Sequence, residues 1–142
     1  MKKIFVILFS ILSTLASAQD IVMSAGAEKT VTGNQYSGSV MYETKKSWGA
    51  GAFYQTGLTP DNGEGYLKNP FYGIALQAPI ARSQRISFIG VLRTGLVNEK
   101  FLAVVPSLET RIQITPKAGV AVGAGLRSGY PSLSAKLFVR LF

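Results

Sequence analysis

From residue 20 onward, apolar residues return at every second position in run after run, the period of a strand and not of a helix. Eight such runs can be drawn, over about 20–28, 35–43, 47–57, 70–79, 85–97, 101–113, 117–127 and 132–142. Turn-forming segments separate them: KTVTGN, TKK, LTPDNGEGYLKN, IARSQ, NEK, TPK and SGYP. The spacing predicts an all-β chain of eight consecutive antiparallel strands. Pro106 falls within the sixth run, where a proline removes a ladder hydrogen bond, and predicts a bulge or a break there.

Sorting each run by parity shows two unlike faces. In the seventh, Ala118, Val120, Val122, Ala124 and Leu126 oppose Gly119, Ala121, Gly123, Gly125 and Arg127. In the eighth, Leu133, Ala135, Leu137, Val139 and Leu141 oppose Ser134, Lys136, Phe138, Arg140 and Phe142. The solvent-facing side of a soluble strand usually carries sizeable polar residues, because glycine weakens a strand. Here the less apolar face is glycine, alanine and serine with a few charges, which suits a narrow, crowded interior. The aliphatic face then points outward into hydrocarbon. Runs of about 9–11 residues match a tilted membrane-crossing strand, and closing the sheet leaves no unpaired edge in lipid. The expected fold is an eight-stranded antiparallel up-and-down transmembrane β-barrel.

The first eighteen residues read differently. Lys2 and Lys3 precede an apolar run from Ile4 to about Leu15, and Ala16, Ser17 and Ala18 follow. This is the order of a secretory signal peptide, too short in its apolar part for a spanning helix. Residues 1–18 are expected to be cleaved, leaving 19–142 as one barrel domain. The chain has no cysteine and no histidine. Disulfides, thiolate or imidazole metal sites, and catalysis through histidine or cysteine are therefore excluded. No cofactor is expected. Without the signal's two lysines, 13 basic residues stand against 7 acidic ones.

Loop lengths agree with a membrane barrel. If the first strand starts in the periplasm, the even connections TKK, IARSQ and TPK are periplasmic and short, while the longest segment, LTPDNGEGYLKN, is external. With the signal ending in LASA, eight alternating runs, the short TPK turn and a terminal Phe142, the mature chain resembles small eight-stranded outer-membrane barrels of the OmpX and OmpA-barrel group. That resemblance implies an address in the outer membrane of a diderm bacterium. It also implies handling by the barrel-assembly machinery during insertion, with Phe142 as an assembly signal. Phe142 shares parity with Lys136 and Arg140, whereas the family places its last aromatic in phase with the outward residues.

Candidate chemistry falls in three places. Inward by parity are Glu28, Glu43, Arg93, Glu109, Arg111, Arg127, Lys136 and Arg140. They read as a salt-bridge network filling a lumen too narrow to conduct, since eight strands leave space only for side chains. Glu109 is expected to anchor Arg93 or Arg111. A periplasmic basic rim gathers Lys45, Lys46, Arg82, Arg85 and Lys117, suited to ordinary interfacial solvation or to an anionic partner or phosphate. The external loop carries Asp61, Asn62, Glu64 and Tyr66, without the spacing of an EF-hand. Aromatics near run ends (Tyr42, Trp48, Tyr66, Phe71, Tyr72, Phe101, Tyr130) fit interfacial girdles or packing.

Three function classes follow. The first is a non-enzymatic barrel in contact with outer-membrane lipid, acting as a structural, adhesive or accessory subunit of an envelope complex. Its envelope protein partner would be met through the external loop or the rim, with no nucleic acid involved. The second is a secreted soluble β-barrel or sandwich binding an apolar ligand. The third is a lipid-acting enzyme using Ser-Lys or carboxylate chemistry, for which no paired motif is present.

Overall fold

A computed structural model describes residues 20–60, 69–127 and 129–141. The expected signal segment, the loop residues Asp61, Asn62, Glu64 and Tyr66, and Phe142 lie outside them. The described residues form eight strands: β1 Asp20–Thr30, β2 Gly33–Glu43, β3 Gly49–Gln55, β4 Phe71–Arg82, β5 Ile86–Val97, β6 Phe101–Gln113, β7 Ala118–Arg127 and β8 Tyr130–Arg140. Each pairs antiparallel with its neighbours, and β8 returns to β1 to close the barrel.

Alternation dictates which side chains enter the barrel. On β8, Ser132, Ser134, Lys136, Phe138 and Arg140 turn inward, while Leu133 and Leu137 are each 67% exposed on the outer wall. Leu108 on β6 is 62% exposed, whereas Glu109 beside it is 5% exposed. Ile74, Leu76, Phe88, Leu92, Val104 and Val122 are exposed in the same manner. The buried apolar cluster, which includes Val22, Met41, Phe53, Phe71, Val105 and Phe138, lies inside the barrel. No helix among the described residues is long and apolar enough to cross a membrane.

Small residues on the inner face let the strands bend and the lumen fill. Gly73 and Gly95 are cross-strand partners on β4 and β5. A Cβ on Gly73 would lie 2.2 Å from the Thr94 carbonyl oxygen, so backbone occupies that space. At Gly119 backbone and side chain both intrude: a Cβ there would lie 2.2 Å from the Ile112 carbonyl oxygen and 2.6 Å from Cζ of Phe138.

Element ends differ from the sequence expectation where turns take more or less chain. β3 is shorter than expected because residues 44–48 form a turn, in which Ser47 N donates to Thr44 O and Ser47 adopts a left-handed φ of 66°. β4 is longer, running to Arg82 through a bulge at Ile80, which is skipped between the pairs Pro79↔Ile89 and Ala81↔Phe88. Asn98 and Glu99, both with positive φ, make the tight mirror-image turn between β5 and β6.

Pro106 does not break β6, which continues unbroken to Gln113. Its effect is one-sided. It pairs with Leu92 of β5, but the ladder to β7 begins only at Ser107↔Gly125, one residue after the proline. The Pro106 carbonyl is directed toward β7, 3.1 Å from where a Gly125 Cβ would stand. The missing N–H therefore falls on the β7 side, where the ladder ends.

Candidate functional site: a charged lumen and a basic rim

Inside the barrel, three carboxylates and five cations are arranged in tiers along the axis. Near the end that carries the β1–β2 turn, Glu28 Oε2 accepts from Arg93 Nη1 at 2.8 Å and from Gln55 Nε2 at 2.6 Å. In the same tier Arg127 donates to Gln35 Oε1, and Gln35 Nε2 donates to the Thr56 carbonyl at 2.9 Å. In the middle, Lys136 pairs with Glu109, and Arg111 Nε approaches the other oxygen of Glu109 at 4.0 Å. Toward the end that carries both termini, Glu43 is the hub. Its Oε2 accepts from Arg111 Nη1 at 2.7 Å and from Gln77 Nε2 at 2.8 Å, and its Oε1 accepts from Arg140 Nη2 at 3.0 Å.

All eight inward charges expected from parity thus lie in the lumen; of the partners expected for Glu109, Arg111 keeps a long contact at 4.0 Å and Arg93 does not. The main partner of Glu109 is Lys136, and Arg93 turns to Glu28 instead. The reason is axial position. Arg93 projects from the half of β5 nearer the β5–β6 turn, where Glu28 also points, whereas Lys136 faces Glu109 from β8 across the glycine-rich β7.

Charge alone misses half of this interior. Gln35, Gln55 and Gln77 share the inward parity, are each no more than 3% exposed, and link the ion pairs to one another or to backbone. Three phenylalanines provide platforms for the arginines: Arg127 lies 5.2 Å from the Phe71 ring centre, Arg111 5.7 Å from Phe138 and Arg93 6.0 Å from Phe53. Phe71 is therefore a fully buried lumen residue and not part of a girdle. Inward parity combined with a non-small residue is the signal that would have found all six. Tyr42, Trp48, Phe101 and Tyr130 are exposed, and Tyr54 and Tyr72 stack at 6.5 Å on the outer wall.

Among the described residues the lumen holds a cavity of about 30 Å³ bounded by Ser24, Ser37, Met41, Phe53, Gln77 and Lys136, among others. That is room for one or two waters. Among the described residues no cluster of acidic side chains could hold a metal ion.

The basic rim occupies the end with the termini. Lys45, Lys46, Arg82, Arg85 and Lys117 are all exposed. Arg82 Nη1 donates to the Lys45 carbonyl at 2.6 Å, clasping the end of β4 to the β2–β3 turn. The Lys117 carbonyl accepts from Arg140 N at 2.6 Å, tying the β6–β7 turn to β8.

No protein-family profile matches the chain, and no curated protein matches it by sequence. Solved structures similar to it include one from the de novo design of transmembrane β-barrels, with a TM-score of 0.70 at 8% identity over 86% of this chain and 95% of that one. The solution NMR structure of the de novo designed TMB2.3 gives 0.64 at 15% identity, over 87% and 94%. The outer membrane protein Ail of Yersinia pestis, in a phospholipid bilayer nanodisc, gives 0.58 at 10% identity, over 86% and 99%. At such identities the likeness is one of fold. Together with the apolar outer wall it makes this chain an eight-stranded transmembrane β-barrel.

Proposed function

We propose that the chain is a non-enzymatic barrel of the outer membrane of a diderm bacterium, closed to ions by its own side chains. It serves there as a structural, adhesive or accessory subunit of an envelope complex. The observation that carries this reading is the plugged lumen. Tiered ion pairs, three buried phenylalanines and three buried glutamines pack the described lumen around a cavity of about 30 Å³, so the interior stiffens a scaffold instead of passing a solute. Function then belongs to the ends of the barrel, because loops and turns on a rigid frame are where contacts are made. The external loop with Asp61, Asn62, Glu64 and Tyr66 would meet a partner outside the cell. The rim of Lys45, Lys46, Arg82, Arg85 and Lys117 would face the periplasm, and Phe142 would present the chain to the assembly machinery.

Fractionation followed by electrophoresis of boiled and unboiled samples tests this. The expected result is a detergent-soluble envelope protein whose unboiled form migrates differently, and which shows no steps of conductance in a planar bilayer. A protein released without detergent, or one that conducts, would overturn it. Charge reversal at Lys45, Lys46 and Lys117 that left partner capture unchanged would remove the rim from the interaction.

A further inference from the structure

The outer wall is not uniformly lined by large side chains. On β4 and β5 the cross-strand partners Ala78 and Gly90 both face outward. Trp48, Leu76, Leu92 and Pro106 rise around them to enclose an open groove of about 500 Å³, within the range of roughly 300–1,000 Å³ typical of small-molecule sites. The floor is low because of Gly90. A Cβ built there meets nothing closer than Ile80 Cδ1 at 3.7 Å and the Ala78 carbonyl at 3.9 Å. Ile80 is the extra residue of the β4 bulge, and it lies 63% exposed at the side of the groove nearer the termini.

Beyond Ile80 the wall ends in cations. Lys45 and Lys46 come from the β2–β3 turn, Arg82 from the end of β4 and Arg85 from the turn that follows. The Arg82–Lys45 hydrogen bond holds these two turns together, so that the four charges form one patch. Neither turn contains an acid. The neighbouring Glu43 cannot neutralise them, because its carboxylate is inside the barrel and taken by Arg111 and Arg140.

A hydrocarbon trough that runs out beneath a cationic rim is complementary to a molecule with a fatty tail and an anionic head. We infer that this groove and rim bind one anionic phospholipid of the adjoining leaflet, its acyl chain over Gly90 and Ala78 and its phosphodiester among Lys45, Lys46, Arg82 and Arg85. The inference rests on the membrane-spanning reading above. Trp48 stands between the two parts, where an indole favours the headgroup zone. A zwitterionic phospholipid offers the same chain, but its ammonium opposes the rim.

Trp48 is the chain's single tryptophan, so its fluorescence reports on this place alone. The experiment inserts the mature protein into phosphatidylcholine vesicles containing either brominated phosphatidylglycerol or brominated phosphatidylcholine at equal mole fraction. Quenching is expected to give a relative association about fivefold higher for the anionic lipid, the effect of one well-placed cation. Gly90→Leu, which fills the trough, and separately Lys46→Gln with Arg85→Gln, should each bring that ratio close to one while the heat-dependent gel shift is retained. Ala78→Leu is the second filling variant should Gly90→Leu not fold. Equal quenching in the wild-type protein overturns the inference and leaves the barrel reading standing. A preference that survives both filling variants overturns it as well, since diffuse rim charge then suffices. A protein that fails to insert into vesicles overturns both.

Discussion

Glu43 is the strongest single test of how the interior is held together. Its carboxylate, on a residue 2% exposed, accepts hydrogen bonds from Arg111 and Arg140 and a third from Gln77. Glu43→Ala leaves two guanidinium groups in the lumen with no acid in their tier, the nearest being Glu109, 4.0 Å from Arg111 and already paired with Lys136. Breaking a buried pair in this way costs about 3–5 kcal/mol. Glu43→Gln keeps the shape and one acceptor oxygen, but removes the charge and puts an NH2, which cannot accept, against one of the two guanidinium groups, for a loss of about 2 kcal/mol. A barrel of this length loses roughly 4 °C of Tm per kcal/mol. The expected falls are therefore about 8 °C for Gln and about 12–20 °C for Ala. The assay is the temperature at which the unboiled band converts to the boiled one in a fixed detergent. Pairing Glu43→Ala with Arg111→Met completes a cycle, in which the double variant should be more stable than the two single losses predict by about 2 kcal/mol. A Glu43→Ala melt within 3 °C of the wild type, or a coupling of zero, would refute the tiered network.

Further expectations bear on the same architecture. Glu109→Gln should lower the melt by less than Glu43→Ala, because it leaves Lys136, whose side chain is 12% exposed, to reach water. An equal or larger fall would show that the middle tier carries the structure. Leu137→Arg, at a side chain 67% exposed on the wall, should reduce folding into bilayers by about 2–4 kcal/mol. A soluble protein would tolerate that change within about 0.5 kcal/mol, so a neutral result in refolding titrations refutes the inside-out arrangement. Gly119→Val should be poorly tolerated, because the Ile112 carbonyl and the Phe138 ring crowd the Cβ position, whereas Gly90→Ala, open on the outer wall, should melt within 2 °C of the wild type.

Period-two alternation made the barrel legible, because it survives in every strand and each strand's parity can be read without its neighbours. Strand number, order and the inward set of Glu28, Glu43, Arg93, Glu109, Arg111, Arg127, Lys136 and Arg140 follow from that local rule. Partners do not, because which acid meets which base depends on the stagger between strands far apart in sequence. Glu28 and Arg93 are 65 residues apart, and Glu43 and Arg140 are 97 apart. The bulge at Ile80 escaped for a related reason. IARSQ reads as turn chemistry, yet Ala81 and Arg82 stay paired as strand, with Ile80 squeezed out of the ladder. Pro106 shows that one proline can be neutral toward one neighbour and terminating toward the other.

The seven residues of β3 set it apart from the 12 and 13 of β5 and β6. At about 3.3 Å per residue and a tilt near 40°, β3 spans only about 18 Å of membrane depth, against about 31 Å for β5 and β6, two and three strands further round the barrel. An apolar band is about 25 Å tall, so the cylinder is notched at β3: too short for the bilayer there, between neighbours of 11 and 12 residues that are long enough. Lipid beside β3 must compress or the whole body must lean, at a fraction of a kcal/mol per Å of mismatch. Two copies that meet along their short flanks share one dimple instead of making two, an attraction that needs no contact between their side chains.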